Sequence, residues 1–329
     1  MSVLTVDLAI VGAGPTGLFA AYYAGFRGLR TAVLDALPEA GGQITAMYPE
    51  KQIYDVAGFP EIKGRDLVDN LVRQAAPFEP AYLLGRQAKK LEHVEGKPVL
   101  ELADGERIAT EAVLITGGLG SFAPRPLPAA AHFHGAGIVF FVPELAAHAG
   151  QDVVIVGGGD SAFDWAMALH GIARSTVIVH RREKFRAHQA TVDRVRGLGV
   201  PIIVNAQITA IHGTERDGTV CVSAVDLEVK DEGTQTLPAD AIVAALGFTA
   251  DLGPLGEWGL DLDRRTIAVD STMATNLPRV YAAGDIASYP GKVKLIATGF
   301  GEAATAVNNA AVAINPEAHL FPGHSSENP

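Results

Sequence analysis

Apolar positions in this chain come in continuous runs, each closed by glycine or a charged residue. Examples are VDLAIVG (Val6–Gly12), LRTAVLD (Leu29–Asp35), LITGG (Leu114–Gly118), DVVIVGG (Asp152–Gly158), STVIVH (Ser175–His180), AIVAALGF (Ala241–Phe248) and VYAAGDI (Val280–Ile286). Short, β-branched runs that are apolar on both faces predict strands of a parallel sheet covered by helices. The small-residue stretch after Lys294, LIATGFGEAATAVNNAAVAI, predicts a closely packed helix, or a face for a second copy. The expected class is α/β, with two Rossmann-like dinucleotide-binding domains, the second inserted into the first. The boundaries read from the strand–turn pairs are 1–118, 119–247 and 248–329, the last segment completing the first domain and ending in a C-terminal tail. Two chain crossings between domains make a natural hinge.

Two of these runs lead into glycine fingerprints. VDLAIVGAGPTG carries Gly12, Gly14 and Gly17, with Thr16 inside the turn. DVVIVGGGDSA carries Gly157 and Gly159, followed by Asp160, Ser161 and Ala162. A strand, a tight glycine turn and a helix N-terminus present backbone amides to a pyrophosphate. The end of the next strand along distinguishes the two ligands. Beyond the first turn that strand ends in Asp35, a carboxylate able to accept hydrogen bonds from both ribose hydroxyls and to repel a 2′-phosphate. The first site therefore suits an unphosphorylated adenosine ribose, as in FAD or NAD. Beyond the second turn the strand runs into HRREKFR, which puts Arg181, Arg182 and Arg186 where the acid would stand. Guanidinium groups bind phosphate through paired, charge-assisted hydrogen bonds, so the second site reads as NADPH. Asp285, at the carboxyl end of the strand in VYAAGDI, is placed to meet the polar chain of the first cofactor.

Composition narrows the classes. At 329 residues the chain can bury two cores, and its 36 glycines suit an α/β protein rich in tight turns. A net charge of −11 argues against nucleic acid as a partner and requires a local basic patch for any acidic one. No apolar run reaches membrane-spanning length, and the first strand, expected to begin by Val3, leaves no stretch for a signal peptide. A single cysteine, Cys221, excludes an internal disulfide, which points to a cytoplasmic protein. Its setting, TVCVSAV, is that of a strand and a packed thiol.

In order, GAGPTG, the TGG turn, GGGDSA, HRR…R, ALGF and AAGD resemble the thioredoxin reductase-like flavoproteins over nearly the whole chain. Four longer segments narrow the resemblance to the thioredoxin reductase-like ferredoxin–NADP+ reductases: GGQITAMYPEKQIYDVAGFP (Gly41–Pro60), HRREKFRAHQ (His180–Gln189), YPGKVKLIATGFGEAATAVNNA (Tyr289–Ala310) and HSS (His324–Ser326). One departure from true thioredoxin reductases matters. Their C-x-x-C redox pair falls here on Phe141, Val142, Pro143 and Glu144, so no disulfide relay can take electrons from a flavin.

The resemblance implies a tightly but non-covalently bound FAD in the outer domain, NADPH in the inserted one, and ferredoxin or flavodoxin as the one-electron partner. It also implies a homodimer. A flavin joins two-electron and one-electron carriers, so the protein has a positioning task and no catalytic side chain is expected. The residues implied for FAD are Gly12, Gly14, Thr16, Gly17 and Asp35 at the phosphate and ribose, and Ala88 at the adenine. Gln43, Phe122 and Asp285 are implied along the flavin and ribityl chain. Tyr48 stacks on one face of the ring, and His324 with Ser326 lie in the tail over the opposite face. For NADPH they are Gly157, Gly159, Asp160, Ser161, Arg181, Arg182 and Arg186. His188 stays open between phosphate contact and solvent. Two other readings stand beside this one: an NADPH oxidase or quinone and dye reductase, and a non-enzymatic FAD/NADPH redox sensor.

Overall fold

A computed structural model describes residues 4–118, 120–130, 133, 136–216 and 218–324. The chain divides into two compact units, residues 1–122 with 250–329, and residues 123–249.

The sheet of the outer unit is built from the apolar runs. Parallel strands lie in the order Ala81–Leu83, Thr31–Leu34, Leu4–Val11 and Arg107–Ile115. The last of these splits its edge. Its end, Val113–Ile115, pairs in parallel with Val280–Ala282, while its start pairs antiparallel with Lys97–Leu102, which continues to Ala88–Val94. Leu8, Ala9, Ile10, Ala32, Val33 and Leu34 are fully buried, as expected of strands covered on both faces. Each fully buried aliphatic side chain there contributes roughly 1.5–3 kcal/mol of hydrophobic stabilisation. One face is covered by the helix Pro15–Phe26, started by proline at its first turn, and by the helix Ile296–Ile314. Their small residues, Ala20, Ala21, Ala24, Ala303, Ala306 and Ala310, permit the close approach.

The inner unit repeats the plan on a smaller scale. Its parallel sheet runs Ile138–Val139, Ala241–Ala244, Asp152–Val156, Ser175–Val179 and Ile202–Ile203. Beside it stand three antiparallel strands, Ala206–Arg216, Thr219–Val229 and Gly233–Pro238, packed through Val222, Val225 and Leu227 onto the same core. Cys221 lies within this sheet as a half-buried free thiol.

Two expected strands end sooner than their apolar runs. AIVAALGF is a strand only to Ala244; Gly247 then takes φ +84°, and Phe248–Asp251 pairs with Ser121–Pro124, joining the two connecting segments. VYAAGDI is a strand only to Ala282, after which Gly284, with φ +80°, turns the chain into a short 3-10 turn, Gly284–Ile286. Among the described residues no helix is long and apolar enough to cross a membrane.

Candidate functional site

A cavity of about 490 Å³ opens beyond the carboxyl ends of the parallel strands of the outer unit. It gathers Gly12, Gly14, Thr16, Asp35, Gln43, Tyr48, Ala88 and Asp285, eight of the residues expected there, from segments far apart in the chain. Gly17 lies beneath it as a packing residue, since a Cβ there would run into the Gly12 carbonyl. Gly12 has φ +120°, and a Cβ on it would come 2.5 Å from the Thr116 carbonyl oxygen. Gly14 differs from both. A Cβ there would meet nothing within 4 Å, so the turn leaves open approach at the helix N-terminus, where backbone amides point outward.

Asp35 ends the second strand and is woven into the turn. Its Oδ2 accepts the Ala13 N–H at 2.7 Å and its Oδ1 the Leu37 N–H at 2.9 Å. Burial pushes its carboxyl above the usual carboxylate value, against the pull of these backbone amides. Each oxygen retains a lone pair for a hydroxyl donor. The GGQ loop is tied to the same turn by the Gly41 N–H, which donates to Ala13 O at 2.8 Å. That bond brings Gln43 to the start of the short helix Gln43–Met47 and Tyr48 to its end. Burial raises the Tyr48 phenol, and the nearby Asp285 carboxylate raises it further. Asp285 is itself pushed up by burial and pulled back by Lys294 and Lys292.

Thr16 has a second task that its place in the motif does not announce. Its hydroxyl fills the space beside Gly284 and Gly299, where a Cβ on either would come within 2.8 Å of its oxygen. Sequence reasoning also missed Thr116, Lys294 and Leu252, which line the cavity. Lys294 could have been found, as a cation directly before a helix that follows Asp285.

One expected residue is not among those that line the cavity, and two fall outside what is described. His324 is described, and its ring meets Phe321 edge-on at 5.2 Å, outside the cavity-lining set. The tail leading to it is held by Arg27, whose guanidinium donates to His319 O at 2.9 Å and to Leu320 O at 3.4 Å. Phe122 sits in the connecting strand Ser121–Pro124, its side chain outside the described positions, and Ser326 lies outside the described residues.

In the inner unit, Gly157 is packed against the Ala245 carbonyl and Gly158 against the His180 ring, while Gly159 faces open space. The helix Asp160–Leu169 comes next, with Asp160 and Ser161 in its first turn. Arg181, Arg182 and Arg186 are exposed on the loop after Ser175–Val179. That loop folds back over the glycine turn. The Arg186 N–H donates to Gly158 O at 2.7 Å, and the His188 N–H donates to Asp160 Oδ1 at 2.9 Å. Asp160 therefore anchors the arginine loop through its carboxylate, a role its motif position did not suggest. His188 caps the helix Gln189–Gly197. The His180 imidazole is held below its ordinary value, first by burial and then by the three arginine charges, against its bond to Lys184 O. All three guanidinium groups thus act on one locality.

The cavity fits a dinucleotide carrying a free ribose diol, on the observations of an open Gly14, a buried carboxylate with spare acceptors, and a volume within the usual range for a bound cofactor, about 300–1,000 Å³. Among the described residues no cluster of side chains could hold a metal ion.

Comparison with known proteins places the chain by class. The family described as pyridine nucleotide-disulphide oxidoreductase matches residues 6–310, and this chain belongs to it. Within the family it is similar to the ferredoxin–NADP reductase of Salinispora arenicola, 69% identical over 322 residues that cover 98% of each chain. It is also similar to that of Saccharopolyspora erythraea, 67% identical over 98% of this chain and 97% of the relative. Among solved structures, the thioredoxin reductase of T. acidophilum superposes with a TM-score of 0.78 at 27% identity, covering 93% of this chain and 98% of that one.

Proposed function

We infer that this chain is a ferredoxin–NADP+ reductase, transferring electrons between NADPH and a one-electron carrier, ferredoxin or flavodoxin. The observation that carries the reading is a pair of nucleotide turns of opposite charge with no dithiol to serve as a relay. At the positions of a C-x-x-C pair stand Phe141, Val142, Pro143 and Glu144, and Val142 is fully buried. FAD, when bound, accepts a hydride from NADPH and passes the electrons on singly.

The remaining work belongs to the chain. Asp35 binds the adenosine ribose of FAD, and the amides of the Gly12–Gly14 turn bind the pyrophosphate. Asp285 holds the ribityl hydroxyls, Gln43 and Tyr48 hold the flavin end, and Ala88 meets the adenine. Arg181, Arg182 and Arg186 select NADPH through its 2′-phosphate. The protein works in the cytoplasm as a homodimer. His324 lies outside its own cavity, and Arg27 pins the tail before it, which supports a tail that serves the neighbouring copy.

The test is reduction of cytochrome c by NADPH with the purified holoprotein. We expect turnover to depend on added ferredoxin or flavodoxin. Turnover at quinone concentrations found in the cell, without either carrier, would replace this reading by a quinone reductase.

A further inference from the structure

We propose that Glu302, on the helix Ile296–Ile314, is a positioning residue that sets the Gly284–Asp285 turn and acts on the cofactor only through Asp285. The proposal rests on the FAD reading above. Glu302 is out of place by pattern. It stands on the buried face of a helix otherwise lined by Gly299, Ala303, Ala306, Val307, Ala310 and Ala311, where one more apolar residue would pack. Its side chain is only 4% exposed, and that of its partner Lys292 only 7%. Burying two charges costs several kcal/mol per ion unless every donor and acceptor is used.

Here they are used. Glu302 Oε2 accepts the backbone N–H of Gly284 at 2.7 Å. Its Oε1 accepts the Tyr289 hydroxyl at 2.5 Å and pairs with the Lys292 ammonium. The bond from Tyr289 to Glu302 pushes that phenol up to about 12, so it remains a donor throughout the neutral range. On its other side the turn is fixed by the Ala283 N–H, which donates to Ile115 O at 3.0 Å. Thr16 packs against Gly284, where a Cβ would come 2.8 Å from its hydroxyl oxygen. The turn is thus held on both sides, and the next side chain along it is Asp285, in the cavity wall. The charges acting on Asp285 are Lys294, Lys292 and Glu302, of which the last two oppose each other. Glu302 therefore supplies a hydrogen-bond anchor while Lys292 shields Asp285 from its charge.

The experiment measures FAD release from the purified holoprotein by the fluorescence of free flavin. Glu302→Ala should weaken FAD roughly tenfold or more, the size expected for losing a hydrogen bond to a charged group. The neutral pair Glu302→Gln with Lys292→Met should restore affinity to within about threefold, because glutamine can still accept from Gly284 and no charge is left unpaired. In an Asp285→Ala background, Glu302→Ala should change affinity by less than about twofold, the non-additivity of residues acting through one another. Equal losses in both backgrounds, or wild-type affinity in Glu302→Ala, would overturn the proposal. Should Glu302→Ala fail to fold, Glu302→Ala with Lys292→Met, which removes the acceptor and leaves no unpaired charge, completes the cycle in the same two backgrounds. No coenzyme or acceptor enters the assay, so a chain that binds FAD but ignores ferredoxin would fail only the functional reading. An unsubstituted protein that takes up no FAD would sink both.

Discussion

The two glycine turns begin alike and are finished differently. Each comes after a buried parallel strand and opens a helix, and each has one glycine with nothing near its missing side chain, Gly14 or Gly159. Around the first, the acid at the next strand end is built into the wall, with both carboxylate oxygens fastened to backbone amides. Around the second, the arginines ride exposed on a loop that is tied down elsewhere, through its backbone to Gly158 and Asp160 and through the Phe185 ring to Phe163. A group that stays bound is served by a preformed, walled site, because little ordering remains to be done on binding. A coenzyme that must enter and leave at every turnover is served by exposed charge, which guides its phosphate and releases it. The outer site has the features of a resident cofactor and the inner one those of a visitor.

The strongest way to break this contrast is Asp35→Ala. It removes acceptors for two ribose hydroxyls and strands the Ala13 and Leu37 amides. At about 1.5 kcal/mol or more for each lost charged hydrogen bond, FAD affinity should fall roughly a hundredfold, measured by flavin retention on dialysis. Wild-type retention would mean that this acid does not mark the first site. A smaller effect is expected from Arg181→Ala with Arg182→Ala. These side chains are exposed, and part of their attraction is screened by salt. The Michaelis constant for NADPH should rise at least tenfold while that for NADH changes little. Equal loss for both coenzymes would remove the phosphate assignment and leave the loop without a selective role.

How much of this contrast could be read from the chain depends on where its causes lie. The strands, both turns, Asp35 and Asp285 were legible because each sits at a fixed offset from a glycine or an apolar run, whereas Gln43 and Tyr48 were named only through the resemblance of the segment Gly41–Pro60. Parallel strands bring such offsets to one edge of a sheet whatever the loops do. The anchoring role of Asp160 was not legible, since its partner is a backbone amide 28 residues away, on a loop whose path no periodicity reveals. Thr16 against Gly299 and Glu302 against Gly284 were hidden for the same reason, as contacts made only after the last helix docks on the first. His324 illustrates the limit in the other direction. Its motif was legible, but His324 is not among the residues that line the cavity. The early end of VYAAGDI was hidden by its composition, because apolar Ile286 and Ala287 continue past the point where Gly284 turns.

The smallest effect sharpens the comparison through pH. In the outer unit the cofactor-facing acids Asp35 and Asp285 are both raised, chiefly by burial. In the inner unit Asp152 is lowered, first by its hydrogen bond from Arg174, and Asp226 is lowered by Thr236 and His212. A raised carboxylate favours the folded state while protonated, below the unfolded value of 3.8, and that contribution is lost as pH rises through the folded pKa. A lowered one does the reverse, stabilising above 3.8 and failing as pH falls through its folded pKa. Without FAD, then, the ionised Asp285 is a burden near neutral pH. Asp285→Asn should raise the melting temperature of the FAD-free protein there, and the gain should shrink as pH falls through the raised pKa of Asp285, vanishing by about 3.8. With FAD bound the sign should reverse, because the ribityl hydroxyls then lose the charged acceptor that Asp285 supplies. Calorimetry on both forms across this range checks it. A variant that melts lower than wild type even without FAD would show that Asp285 supports the fold itself, and the outer site would no longer be one whose strain is relieved by its ligand.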